Sequence, residues 1–226
     1  MDLPVWQQLQ DSLADEAFTV IAVAEESGGA AAARPWIEQA SPSYPCLIDT
    51  NHLVSARYGM VNVPQSVWID VDGHIARPPE SAGATDHFRR MDLATRTMAP
   101  DDQRARQAAR TAYMNAVRDW VRTGHYALDA DAARHGLPAI TADIALAETH
   151  FRLGLWLQRN GRASEAAPHF AEASRLHPNS WTIWRQAAEL SEPGGAASPA
   201  FWARVLALGD TPYYPPPNLL LTPPAG

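Results

Sequence analysis

The chain contains a single cysteine, Cys46, so the residue type that most often carries redox chemistry has no partner within the sequence. One cysteine excludes an intrachain disulfide and a zinc site built on several cysteines. Cys46 follows Tyr44-Pro45 at the start of a short apolar run, and no histidine or acidic residue lies at a spacing that would activate a thiolate. We interpret it as a small buried hydrophobic residue; a catalytic or resolving thiol is the alternative.

The acidic residues and histidines supply few further patterns that indicate chemistry. The eight histidines show no H-x-x-x-H or similar tight spacing, so the sequence predicts no metal site and no cofactor. The segment Asp70-x-Asp72-Gly73 lacks the later acidic ligands of a calcium loop and predicts a hairpin turn. Glu25 follows a predicted strand, at the carboxyl end where sites of α/β proteins gather. It is a candidate for proton transfer, and a solvated loop charge is the alternative.

The pair Val63-Pro64 stands directly before a predicted buried strand. Proline is unusual there because it has no N–H to donate to a ladder. At the start of a strand it fixes a turn, and an X–Pro bond is the kind of peptide bond that can be cis. Pro64 is therefore either a site proline that holds a substrate or a simple turn proline.

The elements that would position these residues alternate between helices and strands. The sequence predicts helices over 3–14, 30–40 and 51–58, with Asn51 as a cap, and strands over 18–24, 45–49, 66–71 and 74–77, with Pro78-Pro79 closing the last hairpin. This order predicts an α/β fold in which helices cover a mixed sheet. The strands at 18–24 and 66–71 are apolar on both faces, as expected for interior strands.

Beyond about residue 85 the pattern is helical. A helix over 101–123 and a loose linker over 125–140 precede a segment with the spacing of a tetratricopeptide repeat: His150-x2-Leu153-Gly154-x2-Leu157, then Ala166-x3-Phe170, Ala173 and Pro178. Such a repeat is a pair of antiparallel helices, here joined at Asn160-Gly161, with Phe170 filling the space beside Gly154. The repeat predicts either a peptide-binding groove for a protein partner or a structural cap or dimer surface.

The span from about Leu3 to Arg77 resembles the thioredoxin-like redoxin family, especially disulfide reductases related to cytochrome-maturation thioredoxins and peroxiredoxins. Pro4 resembles the proline of the active-site helix, which lies shortly after the second cysteine of the family's Cys-x-x-Cys. Val63-Pro64 resembles the cis-proline pair. The segments 18–24, 46–49 and 68–73 resemble the strand after that helix, the inserted strand of the subgroup, and the strand and turn after the cis-proline.

The resemblance implies thiol–disulfide or peroxide reduction, an oxidoreductase or antioxidant function with protein or small-molecule thiols and disulfides as substrates. In the family the backbone of the residue before the cis-proline pairs with the bound substrate, which makes Val63 and Pro64 the expected substrate-binding residues. Glu25 would lie near the thiols. No catalytic residue is assigned within this chain because the Cys-x-x-Cys is absent from it.

The same alignment places the missing thiols, and the central strand of the sheet, before Met1. Without that strand the strands at 18–24 and 66–71 would each leave backbone groups unpaired, at about 1–3 kcal/mol per group, against a domain stability of about 5–15 kcal/mol. We therefore expect Met1 to be an internal methionine of a longer protein, with a strand and a cysteine or selenocysteine motif upstream.

The predicted fold class is an N-terminally incomplete α/β thioredoxin-like domain followed by an all-α tetratricopeptide-type region. The expected segments are 1–84, linking helices 85–140, the repeat region 141–212 and a proline-rich tail 213–226. A net charge of −7 argues against a nucleic-acid partner, and the absence of a signal peptide or long apolar run predicts a cytoplasmic protein without membrane contact. The alternative function is a non-catalytic interaction scaffold that uses the Val63-Pro64 edge and the repeat.

Overall fold

A computed structural model describes residues 3–219 as a mixed α/β chain. The helices are α1 (Leu3–Ser12), α2 (Ala30–Ala40), α3 (Leu53–Tyr58), α4 (Pro100–Thr123), α5 (Ala130–His135), α6 (Ala142–Arg159), α7 (Ala163–Leu176), α8 (Trp181–Ser191) and α9 (Pro199–Leu206), with 3₁₀ turns at Asp86–Arg90 and Gly195–Ala197. The strands are β1 (Ala22–Ala24), β2 (Cys46–Ile48), β3 (Gln65–Ile69) and β4 (Ile75–Ser81). None of these helices is both long and apolar enough to span a bilayer.

The chain divides into two compact units that combine segments distant in sequence. Within the described residues, unit 1 contains 3–14, 18–62 and 138–202, and unit 2 contains 15–17, 63–137 and 203–219. This grouping differs from the consecutive segments predicted from the sequence, because the helix pair after residue 141 shares a unit with the first strands. The four predicted segments stay a prediction.

The strands of residues 3–219 form two separate two-stranded sheets. In unit 1, β1 and β2 are parallel, with Ala22 opposite Cys46; in unit 2, β3 and β4 form an antiparallel hairpin. The ladder to β2 uses the N–H of Ala22 and the C=O of Ala24, so the backbone of Val23 faces the other edge of β1. No strand of the described chain pairs with that edge.

The predicted first strand is shorter than expected, because α1 takes over part of its hydrogen bonding. Only 22–24 form a strand, whereas the N–H of Val20 donates to Gln10 Oε1 of α1 at 2.8 Å. Ile21 is 58% exposed. The prediction that the whole of 18–24 forms an interior strand is therefore wrong for its first half.

Three further predictions about local structure are wrong. Asn51 does not cap α3: the cap position is His52, and the Asp49 carboxylate accepts from the N–H of Val54 at 2.6 Å instead. Pro78-Pro79 lie inside β4 rather than closing the hairpin. They stand at a register shift where the two prolines lie opposite the single residue Val67, and such a bulge in an edge strand tolerates proline. The linker predicted over 125–140 contains α5, whose N-cap Asp129 accepts from Ala132 N–H.

The helix pair α6–α7 forms the main core of unit 1. The predicted helix–turn–helix over the repeat pattern is observed, with Gly161 in the turn at a φ of 72°. A Cβ added to Gly154 would lie 2.6 Å from the Phe170 ring, so glycine is required for this close approach. The core side chains of the pair, together with α8, are Ala147, Phe151, Leu155, Leu157, Ala166, Phe170, Ala173, Ile183 and Ala187.

The core of unit 2 forms where α4 packs on the β3–β4 hairpin. Tyr113 of α4 is fully buried, and its hydroxyl lies 2.6 Å from Ser66 Oγ and accepts from Trp68 Nε1 at 2.9 Å. Arg77 is 1% exposed, and its guanidinium forms two 3.0 Å hydrogen bonds with the Glu80 carboxylate. These contacts fix the strand that follows Pro64.

Candidate functional site

Glu25 lies in a buried polar cluster of unit 1 rather than in a solvated loop. Its side chain is 7% exposed. One carboxylate oxygen accepts from the Ser55 hydroxyl at 2.7 Å, and the other accepts from the Ser55 N–H at 3.3 Å. The sequence placed Glu25 correctly at the carboxyl end of β1, but its burial comes from α3, which presents Ser55 to it.

His52 is the second member of this cluster. It is 1% exposed and has a left-handed backbone, with a φ of 54°, which is uncommon for a residue other than glycine. Its Nε2 lies 2.8 Å from Ser27 Oγ. Its Nδ1 lies 2.8 Å from Glu25 Oε2, but the two atoms are not aligned as a hydrogen bond. His52 and Glu25 are therefore in close contact without a hydrogen bond between these two atoms.

Glu148 of α6 adds a second carboxyl group to the same region. Burial raises its pKa above the usual range; nearby Arg152 and His52 lower it, and Glu25 raises it further. Its Oε2 is buried and has no hydrogen-bond partner among the described residues. The effect of burial on the pKa of Glu148 is therefore larger than the opposite effect of the neighbouring positive charge.

A cavity of about 30 Å³ opens beside Glu148, lined also by Ser55, Gly59, Ile140 and His177. The Nδ1 of His177 is buried and likewise lacks a partner within the described chain, and burial lowers the pKa of this imidazole. The cavity has room for one or two waters. It is too small for an organic substrate.

The cluster does not have the arrangement of a site for nucleophilic catalysis by serine. Ser27 and His52 are paired as a nucleophile and a base would be. However, the N–H groups around Ser27 are occupied: that of Ser27 donates to Gln186 Oε1, that of Gly28 to Glu26 Oε1 and that of Gly29 to the Glu26 carbonyl. They are not available to stabilise an oxyanion.

Sequence reasoning missed Ser27, His52, Ser55 and Glu148. Ser27 lies in the loop after β1, and His52 and Ser55 lie at the start of α3. Glu148 lies in α6, more than ninety positions after Ser55. No short spacing links them. The one available signal was the pair of acidic residues after β1, from which Glu25 was identified.

The Val63-Pro64 pair belongs to unit 2, whereas Glu25 belongs to unit 1. The Val63–Pro64 peptide bond is cis. The Pro64 carbonyl accepts from Ala82 N–H at 3.2 Å, which extends the β3–β4 pairing by one step. The Val63 side chain is 42% exposed, and its carbonyl accepts a 2.9 Å hydrogen bond from the Tyr214 hydroxyl.

The start of the predicted tail, residues 213–218, packs firmly on unit 2. The N–H groups of Tyr213 and Tyr214 donate to the Asp86 carboxylate at 2.8 and 2.6 Å, and both rings contact Phe88 edge-on. Farther along, the Asn218 carbonyl accepts from the Arg77 guanidinium at 2.8 Å. Residues 220–226 lie outside the described residues.

The remaining residues singled out in the sequence are Cys46 and the Asp70–Gly73 segment. Cys46 is half-buried, and burial raises the pKa of its thiol, which makes it a weak nucleophile. The exposed groups of Asp70, Asp72 and His74 lie close together at the β3–β4 turn. There Asp70 Oδ1 accepts from the backbone N–H groups of the other two, at 3.0 and 2.8 Å, which is the arrangement of a hairpin turn.

Comparisons of the chain with protein-family models, with curated proteins and with solved structures give no match.

Proposed function

We propose that this chain supplies the substrate-holding and proton-transferring parts of a thioredoxin-like redoxin, which reduces disulfides or peroxides with thiols carried on a further segment. The observation that carries the proposal is the pair of incomplete sheets. Within residues 3–219, β1 and β3 each have one paired neighbour. A redoxin lacking its central strand would leave these two strands open in this way.

In this proposal the missing segment adds the strand and the Cys-x-x-Cys (or selenocysteine) motif. One thiolate attacks the substrate disulfide and forms a mixed disulfide; the second thiolate resolves it. The thiol pair is oxidised to a disulfide, and the substrate is reduced to two thiols. Val63 and Pro64 of unit 2 hold the substrate backbone in this proposal. Glu25 of unit 1 is the candidate for proton transfer.

The first experiment is to translate the reading frame upstream of Met1 and to express the extended protein. We expect a strand followed by a Cys-x-x-Cys or selenocysteine motif, and reduction of insulin disulfides or consumption of peroxide by the extended protein. The 226-residue chain and an extended variant with serine in place of the nucleophile are the matched controls, both expected to be inactive. An upstream frame without such a motif contradicts the proposal.

Hydrogen exchange tests the open edge directly. In the chain alone the amide of Val23 faces the unpaired edge of β1 and is expected to exchange fast. The neighbouring amide of Ala24 points to β2 and serves as the internal control. In the extended protein Val23 is expected to become protected, whereas equal protection in both proteins would show that no strand is added there.

The contact between Tyr214 and Val63 favours a second candidate function, a non-catalytic interaction scaffold. The tail hydroxyl occupies the carbonyl at which a redoxin would pair with its substrate. An extended protein that has an intact thiol motif but reduces neither disulfide nor peroxide would support the scaffold.

A further inference from the structure

The segment 213–218 has the sequence Tyr-Tyr-Pro-Pro-Pro-Asn and lies on unit 2 without forming a helix or strand. Its three prolines fix the backbone φ at about −65°, and each residue before a proline is held extended. The sequence therefore favours the polyproline II form, which loses little conformational freedom on docking. The segment contacts a tail-binding surface that is formed by Arg77, Glu80, Asp86 and Phe88.

The tail-binding surface meets every backbone N–H of the segment with a carboxylate. Because proline has no N–H, the segment carries three of these groups, on Tyr213, Tyr214 and Asn218. The first two donate to the two oxygens of Asp86, at 2.8 and 2.6 Å. The third donates to Glu80 Oε2 at 3.3 Å. The acceptors of the surface thus match a segment in which a run of prolines separates two N–H groups from a third.

Arg77 and Glu80 together contact both backbone groups of one residue. The Arg77 guanidinium donates to the Asn218 carbonyl at 2.8 Å, while Glu80 accepts from the N–H of the same residue. Arg77 is 1% exposed, and it is held by the Glu80 carboxylate and by the Tyr126 carbonyl at 2.9 Å. Contacts outside the segment therefore fix the guanidinium in the position from which it binds a peptide carbonyl.

Phe88 adds an aromatic contact to these backbone contacts. The rings of Tyr213 and Tyr214 lie edge-on to it, with centroids 5.0 and 5.7 Å away. Tyr213 is buried and Tyr214 is half-buried. Grooves lined by aromatic side chains are a recurring means of binding proline-rich segments. The two rings therefore add a preference for aromatic residues before the prolines.

We propose that the tail-binding surface is a recognition site for a proline-rich segment of a partner protein that carries two aromatic residues before its prolines. The chain's own residues 213–218 occupy this site and compete with the partner. The chemistry of the partner follows from that of the occupant, whose N–H groups and rings are the ones that the surface accepts. Peptide recognition here requires no thiol, so its test is independent of the redoxin proposal.

Competition by the chain's own segment sets the affinity for a free peptide. A peptide binds only to molecules whose segment 213–218 has moved away, so the apparent Kd equals the intrinsic Kd divided by the open fraction. A segment joined by a short flexible linker acts at an effective concentration of about 1 mM. For a peptide with an intrinsic Kd of about 0.1 mM or tighter, the parent chain should therefore bind at least about tenfold more weakly than a chain with an open site.

The test measures binding of a fluorescent peptide with the sequence of residues 211–219 by fluorescence anisotropy. The full-length double variant Tyr213→Ser/Tyr214→Ser is expected to bind this peptide at least about tenfold more tightly than the parent chain. A peptide with serine at both tyrosine positions is the control ligand and is expected not to bind. In the double variant, Asp86→Ala should weaken binding at least about tenfold, because two hydrogen bonds to a carboxylate are lost. Asp119→Ala, at an exposed position of α4, is the matched control and should leave the affinity unchanged.

A milder variant covers the case in which the double variant fails to fold. Tyr214→Ala removes a half-buried ring only, and each variant is checked for helix content by circular dichroism; it is expected to tighten peptide binding in the same direction. Equal or absent peptide binding in the parent chain and the folded variants, or unchanged affinity after Asp86→Ala, would overturn the proposal. A dimer of the parent chain that the peptide dissociates would assign the site to the tail of a second copy and would overturn a separate partner.

Discussion

Tyr113 holds the β3–β4 hairpin to α4 through one hydroxyl group. That group lies 2.6 Å from Ser66 Oγ, accepts from Trp68 Nε1 at 2.9 Å and donates to Glu80 Oε1 at 3.3 Å. Tyr113 is 0% exposed and Trp68 is 4% exposed, so water cannot easily replace the hydroxyl. Burial, with Glu80 adding to it, raises the pKa of Tyr113 above its ordinary range, so the group is a neutral phenol at physiological pH.

Replacing Tyr113 by Phe removes the hydroxyl while keeping the ring. The indole N–H of Trp68 then loses its acceptor, and a buried donor without a partner costs about 1–3 kcal/mol. The half-buried Ser66 hydroxyl can turn to another partner, so its loss adds little. We expect the free energy of unfolding of unit 2 to fall by about 2 kcal/mol, which corresponds to about a 30-fold loss of protection in its slowest amides.

Hydrogen exchange followed by mass spectrometry measures this effect on peptides from 65–81 and 100–123. The matched control is Ser66→Ala, which removes one partner but leaves Tyr113 to accept from Trp68, and which is expected to cost under about 1 kcal/mol. A loss of protection below about threefold in Tyr113→Phe, or an equal loss in Ser66→Ala, would refute the reasoning that the Trp68 hydrogen bond dominates.

The remaining predictions concern a carboxyl group, a close helix approach and the tail. The raised pKa of Glu148 means that the folded state binds the carboxyl proton more tightly than the unfolded state does. The contribution of Glu148 to stability is therefore present below about pH 4.5 and is lost as the pH rises through the folded pKa. In urea denaturation Glu148→Gln should gain stability relative to the parent chain over that rise, and a stability difference that stays constant with pH would contradict this. Gly154→Ala places a Cβ 2.6 Å from the Phe170 ring and should lower the free energy of unfolding by about 1–3 kcal/mol, as measured by thermal unfolding. The control Gly161→Asn lies in an open left-handed turn and should lower it by less than about 1 kcal/mol. The reverse order would show that α6 and α7 can separate. Tyr214→Phe removes the hydroxyl that occupies the Val63 carbonyl. If the proposed function holds, it should tighten the binding of a substrate-like disulfide peptide to the upstream-extended protein, as measured by calorimetry; unchanged binding would show that the tail does not compete for Val63.

Local signals predicted much of the secondary structure. The helices α3 and α4 end at Tyr58 and Thr123, as predicted, and each is followed by a glycine with a left-handed backbone. The small residue Gly154 and the large Phe170 lie against each other as the repeat spacing predicted. These features depend on residues near one another in the chain or on a fixed repeat spacing, which a sequence displays directly.

Predictions failed where distant segments changed the local outcome. Pro78 and Pro79 were predicted to close the hairpin, but they lie within β4 at a bulge opposite Val67. The N–H of Val20 is satisfied by a glutamine side chain of α1 instead of by a ladder. Asp49, rather than Asn51, supplies the carboxylate for the first turn of α3.

The sequence by itself determined that the chain has no cysteine pair, that a proline precedes β3 and that an acidic residue follows β1. Tertiary structure alone decided that Glu25 is buried with His52 and that the segment 213–218 lies against Asp86. The physical reason is that pKa values, charge contacts and hydrogen bonds depend on burial and on distances of about 3 Å between atoms of remote segments. Those distances are set by the packing of helices and strands, which cannot be predicted from the spacing of these residues along the chain.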